Sequence, residues 1–305
     1  MKSFICKGII VIFLVVLADI LFGAVYKPII KKLPNSGLSQ TDSYYALNRE
    51  TADVIILGAS NAKRGYNPVV FNEYGFSSVY NAALDGNEMI YHLAVLKSIM
   101  ERQCPKIVIL DINTQCFDGG WFNRLINHKH LYWLNVNVRN MLIANDVDRF
   151  IQIKMLSSFY TYNGTLPWVV RAYLKGNRRT DLHGFDPLEG TKVDEMETTK
   201  NDWDGAVNNK ELVAFHELID LCQNEGISLY VCIAPTYRHS KSDFSVFIQK
   251  EMEGKSIRFI DYSNDGFFLN HKELFFDESH LNRIGADEYT KKIAHQIKDY
   301  YFKDR

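Results

Sequence analysis

The chain has 305 residues, 47% of them hydrophobic, which suffices for one large α/β domain or two small ones with a sizeable core. Thirty-five Lys and Arg against 36 Asp and Glu leave a formal net charge of -1, so composition offers neither a basic surface for nucleic acid nor an acidic excess that would keep the chain disordered. The five cysteines form no CxxC or Cys/His metal spacing, and packed free thiols are expected in preference to disulfides.

After the short segment 1–7, residues 8–26 read GIIVIFLVVLADILFGAVY, about nineteen apolar positions interrupted by Asp19. That length is close to what a bilayer requires, and a carboxylate near the end of a span costs less than one at its centre. Lys2 and Lys7 would suit a signal peptide, but no small-x-small cleavage site follows, so a single uncleaved transmembrane anchor is expected. Lys27, Lys31 and Lys32 balance the lysines on the other side, so charge does not orient the span. An extracytoplasmic domain, in the periplasm or at the cell surface, is the expectation drawn from the short N-terminal side and the lack of a second span. Residues 27–50 contain Pro34, Asn35, Ser36 and Gly37 and read as a linker, which starts the folded domain, 51–305, at Thr51.

Five short β-rich runs follow, at Val54–Leu57, 78–81, 107–112, 229–234 and 257–260, and they suit parallel strands buried on both faces. Helical patterns at 88–102, 208–224 and 283–301 alternate with them. The spacing predicts an α/β three-layer sandwich with a mainly parallel five-stranded sheet. Residues from about 115 to 207 break the rhythm. They are rich in aromatics and Asn, with a helical stretch at 140–156, and read as an insertion that serves either as a lid over the active edge or as a decorative helical layer.

Two segments carry candidate chemistry. In VIILGASNAKRGYNP a strand ends in Gly58, Ala59 and Ser60, which places Ser60 where ligands arrive in open α/β sheets, although a helix-capping serine reads the same way. In FFDESHLNRIGADEYTKKIA, Asp277 and His280 stand two residues apart before the last helix. That spacing lets the carboxylate hold one imidazole nitrogen while the other faces out as a general base, with a capping aspartate and a surface histidine as the plainer alternative.

Together the two segments resemble the SGNH, or GDSL, hydrolase family, whose nucleophile follows the first strand and whose aspartate and histidine share a DxxH block before the closing helix. The resemblance covers most of residues 51–305 outside the insertion. It implies a Ser60, His280, Asp277 triad. It also implies an oxyanion hole from the Ser60 N–H, the Gly86 amide in YNAALDGNEM and the Asn113 side chain in IVILDINTQCF, with Asn81 as a rival donor and Asp111 as a structural residue. Ala59 stands where the family has aspartate, and DIN replaces its glycine-x-asparagine-aspartate run. No cofactor and no metal are expected, and His128, His130 and Asp118 lack metal-ligand spacing. Lys63 and Arg64 suit an exposed polar loop or an anionic substrate, and 235–238 a substrate wall.

The activity so implied is a serine esterase or O-acyltransferase acting on acyl, chiefly acetyl, esters of cell-surface glycan, in the manner of anchored members that modify exported polysaccharides. The expected partners are an acylated carbohydrate or lipid, the membrane, and proteins of polysaccharide biosynthesis. A lipid or peptidoglycan hydrolase uses the same residues. A catalytically inactive glycan-binding or assembly protein is the alternative from another class.

Overall fold

The computed structural model describes residues 2–119, 125–145, 149–177, 182–192, 203–237 and 243–303. Five strands, β1 (Val54–Leu57), β2 (Val79–Asn81), β3 (Ile107–Asp111), β4 (Ser228–Ile233) and β5 (Arg258–Asp261), form one sheet in the order β2-β1-β3-β4-β5. Every pairing is parallel, with Val54 beside Val79 and Ile107, and Ile107 beside Ser228. The alternation of a strand explains the two cores on its faces. Val54, Ile56, Ile107, Ile109, Tyr230 and Cys232 point to one, and Ile55, Leu57, Val108, Leu110, Val231 and Ile233 to the other.

The helices are α1 (Lys2–Lys31), α2 (Ser39–Asn48), α3 (Ser60–Gly65), α4 (Pro68–Phe71), α5 (Met89–Met100), α6 (Val136–Ala144), α7 (Arg149–Met155), α8 (Ser158–Thr161), α9 (Leu166–Lys175), α10 (Asn209–Asn224), α11 (Asp243–Glu251), α12 (Gly266–Leu269) and α13 (Arg283–Lys303). α3, α4 and α13 cover one sheet face through Ala62, Phe71 and Tyr289. α5, α10 and α11 cover the other through Val95, Leu218 and Ile248. This is a doubly wound, three-layer α/β arrangement. The chain leaves β1 toward one face and returns to β3 from the other, which opens a crevice beyond the carboxyl ends of β1 and β3.

α1 is long and apolar enough to cross a membrane. Its side chains from Phe4 to Leu17 are exposed, whereas Tyr26 and Ile30 are buried in the domain. The segment 27–50, expected as a linker, belongs instead to the folded body. α1 continues to Lys31, and α2 buries Thr41, Ser43, Tyr44 and Leu47. Polar side chains of this segment make buried hydrogen bonds, Ser36 Oγ with Thr41 Oγ1 at 3.1 Å and Ser43 Oγ with Tyr91 Oη at 2.9 Å.

The helical stretch expected over 140–156 is divided between α6 and α7. All five cysteines are free, but Cys6 and Cys104 are exposed, so packing accounts only for Cys116, Cys222 and Cys232.

Candidate active site

Strand β1 ends in a turn that only glycine fits comfortably. Gly58 has φ +149, and a Cβ built there would lie 2.6 Å from Ala62 Cβ and 2.7 Å from the Asp111 carbonyl oxygen. The turn delivers Ser60 to the first position of α3, with Ala59 rather than Ser60 at the cap position. The first hydrogen bond of that helix runs from Lys63 N to Ala59 O at 3.0 Å. The Ser60 N–H therefore belongs to the opening turn, whose amides have no acceptor within the helix.

The second half of the site is the loop before α13. Asp277 Oδ1 accepts from Ser279 N and His280 N, both at 2.9 Å, which folds the loop into a tight local turn. The same carboxylate accepts from His280 Nδ1 at 2.9 Å through Oδ1 and 3.1 Å through Oδ2. That bond fixes the ring with its proton on Nδ1, leaving Nε2 as an acceptor 2.8 Å from Ser60 Oγ. Burial raises the Asp277 carboxyl, but the bonds from the His280 side chain and from the Ser279 and His280 amides outweigh it, and the group lies below its ordinary value. It remains a charged partner for an imidazolium.

The chain fastens these halves together. Asn61, next to the serine, donates from Nδ2 to Ser279 O at 3.1 Å. Tyr237 N donates to Glu278 O at 2.9 Å, and Lys192 N to Phe276 O at 2.8 Å. Asn61, which ties the two halves together, is passed over when the sequence is read alone, although its place directly after Ser60 is a signal in retrospect.

A cleft of about 160 Å³ opens beside the pair and is lined by Ser60, Asn113, Gln115, Ile233, Phe244 and His280 among others. Asn113 stands on its wall, at the end of β3, as expected. Its Nδ2 lies 3.4 Å from Asn61 Oδ1. Gly86 does not line the cleft. It occupies a left-handed turn in the loop after β2, and that loop is bonded to the serine's own turn through Leu84 N to Gly58 O at 3.0 Å. Ala234 and Thr236 supply wall from the loop after β4, and Arg238 of the expected wall lies outside the described residues. Among the described residues the insertion contributes only Gln115 to this cleft, while α6 packs on α5 and α8 on α1.

Three sequence expectations are corrected here. Asn81 is no oxyanion donor, because its Nδ2 donates to Ala62 O at 2.8 Å and Tyr66 O at 3.0 Å, and its Oδ1 accepts from Ala83 N. Lys63 is neither exposed nor available to a substrate: it is buried and ion-paired with Asp42 of α2 at 2.8 Å. Arg64 is likewise committed, to Asp85 at 2.8 Å and to Asp186. These pairs arise between residues distant in sequence, so nothing local announces them.

Asp111 lies fully buried beneath the turn, where Tyr66 donates to Oδ2 at 2.7 Å. Burial pushes its carboxyl up to about 7 against the lowering effect of bonds from Tyr66 and Ala234 N–H. It closes the base of the crevice without reaching the cleft.

Larger cavities of about 500 and 450 Å³ lie elsewhere. The first holds His128 and His130, whose Nε2 and Nδ1 bond to Asn87 Oδ1 at 2.8 Å and Asn127 O at 3.0 Å. Burial lowers these histidines to about 3 and about 4, so both are neutral, and among the described residues no group of three His, Cys, Asp or Glu could hold a metal. Size does not locate the chemistry. Among the described residues, Ser60 and His280 line the small cleft, with Asp277 bonded to His280 behind them.

Searched against protein-family models and against curated proteins, the sequence matches none.

Proposed function

We propose that this protein is an SGNH-type serine hydrolase or O-acyltransferase, anchored by α1 with its domain outside the cytoplasm. The single observation that carries the reading is the continuous chain Ser60 Oγ, His280 Nε2, His280 Nδ1, Asp277, with contacts of 2.8 and 2.9 Å. Ser60 attacks an acyl carbonyl as His280 takes its proton, and Asp277 stabilises the imidazolium that forms. The oxyanion is received by the Ser60 N–H and Asn113 Nδ2 on the cleft wall, while the loop that carries Gly86 acts through its bond to the serine's turn. His280 then protonates the leaving alcohol, and water or a sugar hydroxyl attacks the acyl-serine under the same base.

The cleft favours a short acyl group. About 160 Å³ is well below the roughly 300–1,000 Å³ of sites for drug-sized ligands, and Ile112, Ile233 and Phe244 give it an apolar side suited to an acetyl methyl. Tethering by α1 would concentrate the enzyme on acylated cell-surface glycan. Turnover of 4-nitrophenyl acetate by Ser60→Ala tests the proposal. Loss of turnover with an unchanged melting temperature is expected; undiminished turnover overturns Ser60 as the nucleophile, and no turnover above background by the unaltered chain overturns the enzyme reading in favour of a non-catalytic glycan-binding or assembly role.

A further inference from the structure

The apolar run 8–26 is about 28 Å long at about 1.5 Å per residue, close to the ~30 Å of a hydrocarbon core. The folded body does not wait for that run to end. Asp19, inside it, accepts from Ser157 Oγ at 2.7 Å, Ser158 N at 2.9 Å and Phe159 N at 2.8 Å, and so caps α8. Phe22 stacks on Phe159 with ring centroids 4.8 Å apart. Gly23 permits the close approach, since a Cβ there would lie 2.2 Å from Ser158 Oγ. Tyr26 Oη bonds Thr165 Oγ1 at 2.8 Å, just before α9. α8 and its neighbours are thus fixed beside the last third of the run, about 10 Å of helix from Asp19 to Tyr26.

If the whole run occupies hydrocarbon, this edge of the domain lies at or below the headgroups and must be apolar outward. It is: Ile153 is 64% exposed, Leu156 61%, Phe159 47% and Leu166 61%. Cations frame the patch. Lys154 Nζ sits 4.2 Å above the Phe150 ring, and Lys129 Nζ 4.4 Å above that of Tyr160. Apolar side chains bordered by aromatic rings and basic side chains suit the boundary between acyl chains and anionic headgroups, into which such surfaces sink about 5–10 Å.

We infer that α7, α8 and the start of α9 form a second membrane contact, lying in the bilayer surface beside α1. Ile153, Leu156 and Phe159 enter the acyl boundary, and Lys129 and Lys154 meet anionic lipid. The inference rests on α1 as a membrane span and goes beyond it: the domain is held against the bilayer at a fixed attitude instead of swinging on a tether.

Spin-label depth measurement tests this on the full chain in phosphatidylcholine vesicles containing phosphatidylglycerol. With Cys6→Ser and Cys104→Ser removing the exposed thiols, a nitroxide is placed singly at Val15→Cys, Ile153→Cys or Val246→Cys, the last on the outward side of α11. The ratio of oxygen to nickel-chelate accessibility should be several-fold higher at 15 and 153 than at 246, with 153 shallower than 15. A label buried at 15 but as nickel-accessible at 153 as at 246 overturns the surface contact alone. Shielding of 153 from both reagents overturns it in favour of a protein partner or a second copy. Nickel access at 15 overturns the span and the surface contact together.

Discussion

His280 Nε2 stands 2.8 Å from Ser60 Oγ, although 220 positions separate the two residues in the chain. The contact is made because β1 and the loop before α13 end at the same crevice, and because Asn61 and Tyr237 bond that loop to its neighbours.

Asp277→Asn should leave the local turn folded, since an amide oxygen still accepts from Ser279 N and His280 N. It removes the charge that holds the Nδ1 proton and so favours the wrong tautomer. A fall in kcat of about 10³–10⁴-fold toward 4-nitrophenyl acetate is expected, with KM little changed. Steady-state kinetics with circular dichroism checks both parts.

Asn113→Ala removes the side-chain donor on the cleft wall. Because that donor matters most when negative charge develops on oxygen, kcat should drop by about 10²–10³-fold while KM moves little. A change confined to KM would assign Asn113 to ground-state binding.

The Lys63–Asp42 pair should be structural. Asp42→Ala strands a buried ammonium and is expected to cost about 3–5 kcal/mol, whereas Lys63→Met with Asp42→Leu should recover much of that loss. Urea unfolding of the detergent-solubilised chain measures the cycle.

Stability should fall as pH rises from about 4 to 7 on account of Asp111. Its folded carboxyl holds a proton up to about 7 that the unfolded chain releases near its ordinary value, so the favourable contribution is complete below about pH 4 and lost above 7. The full effect is on the order of 4 kcal/mol. Glu211, raised chiefly by its burial, acts in the same direction. Asp111→Asn should therefore flatten the pH dependence of the denaturation midpoint without removing it.

Much of this fold is legible in the sequence because parallel strands buried on both faces are written as unbroken apolar runs. Val54–Leu57 has the bounds expected of it, and the other four strands lie within a residue or so of their runs at each end. Ser60, Asp277 and His280 are legible for a different reason: strand ends and a DxxH turn constrain position locally. What escapes is set by long-range pairing. α2 looks like linker until Asp42 is seen against Lys63, and Asn81 looks like a donor until its amide is found spent on Ala62 and Tyr66. Asp19 looks like a flaw in an anchor until it is seen capping α8.

The central claim is that Ser60 is a nucleophile activated by His280. A fluorophosphonate probe followed by peptide mass spectrometry tests it most directly. The account predicts a stoichiometric adduct on the peptide containing Ser60, lost in Ser60→Ala and slowed at least a hundredfold in His280→Ala. An adduct on another residue, or labelling of Ser60 at an unchanged rate without His280, would contradict it.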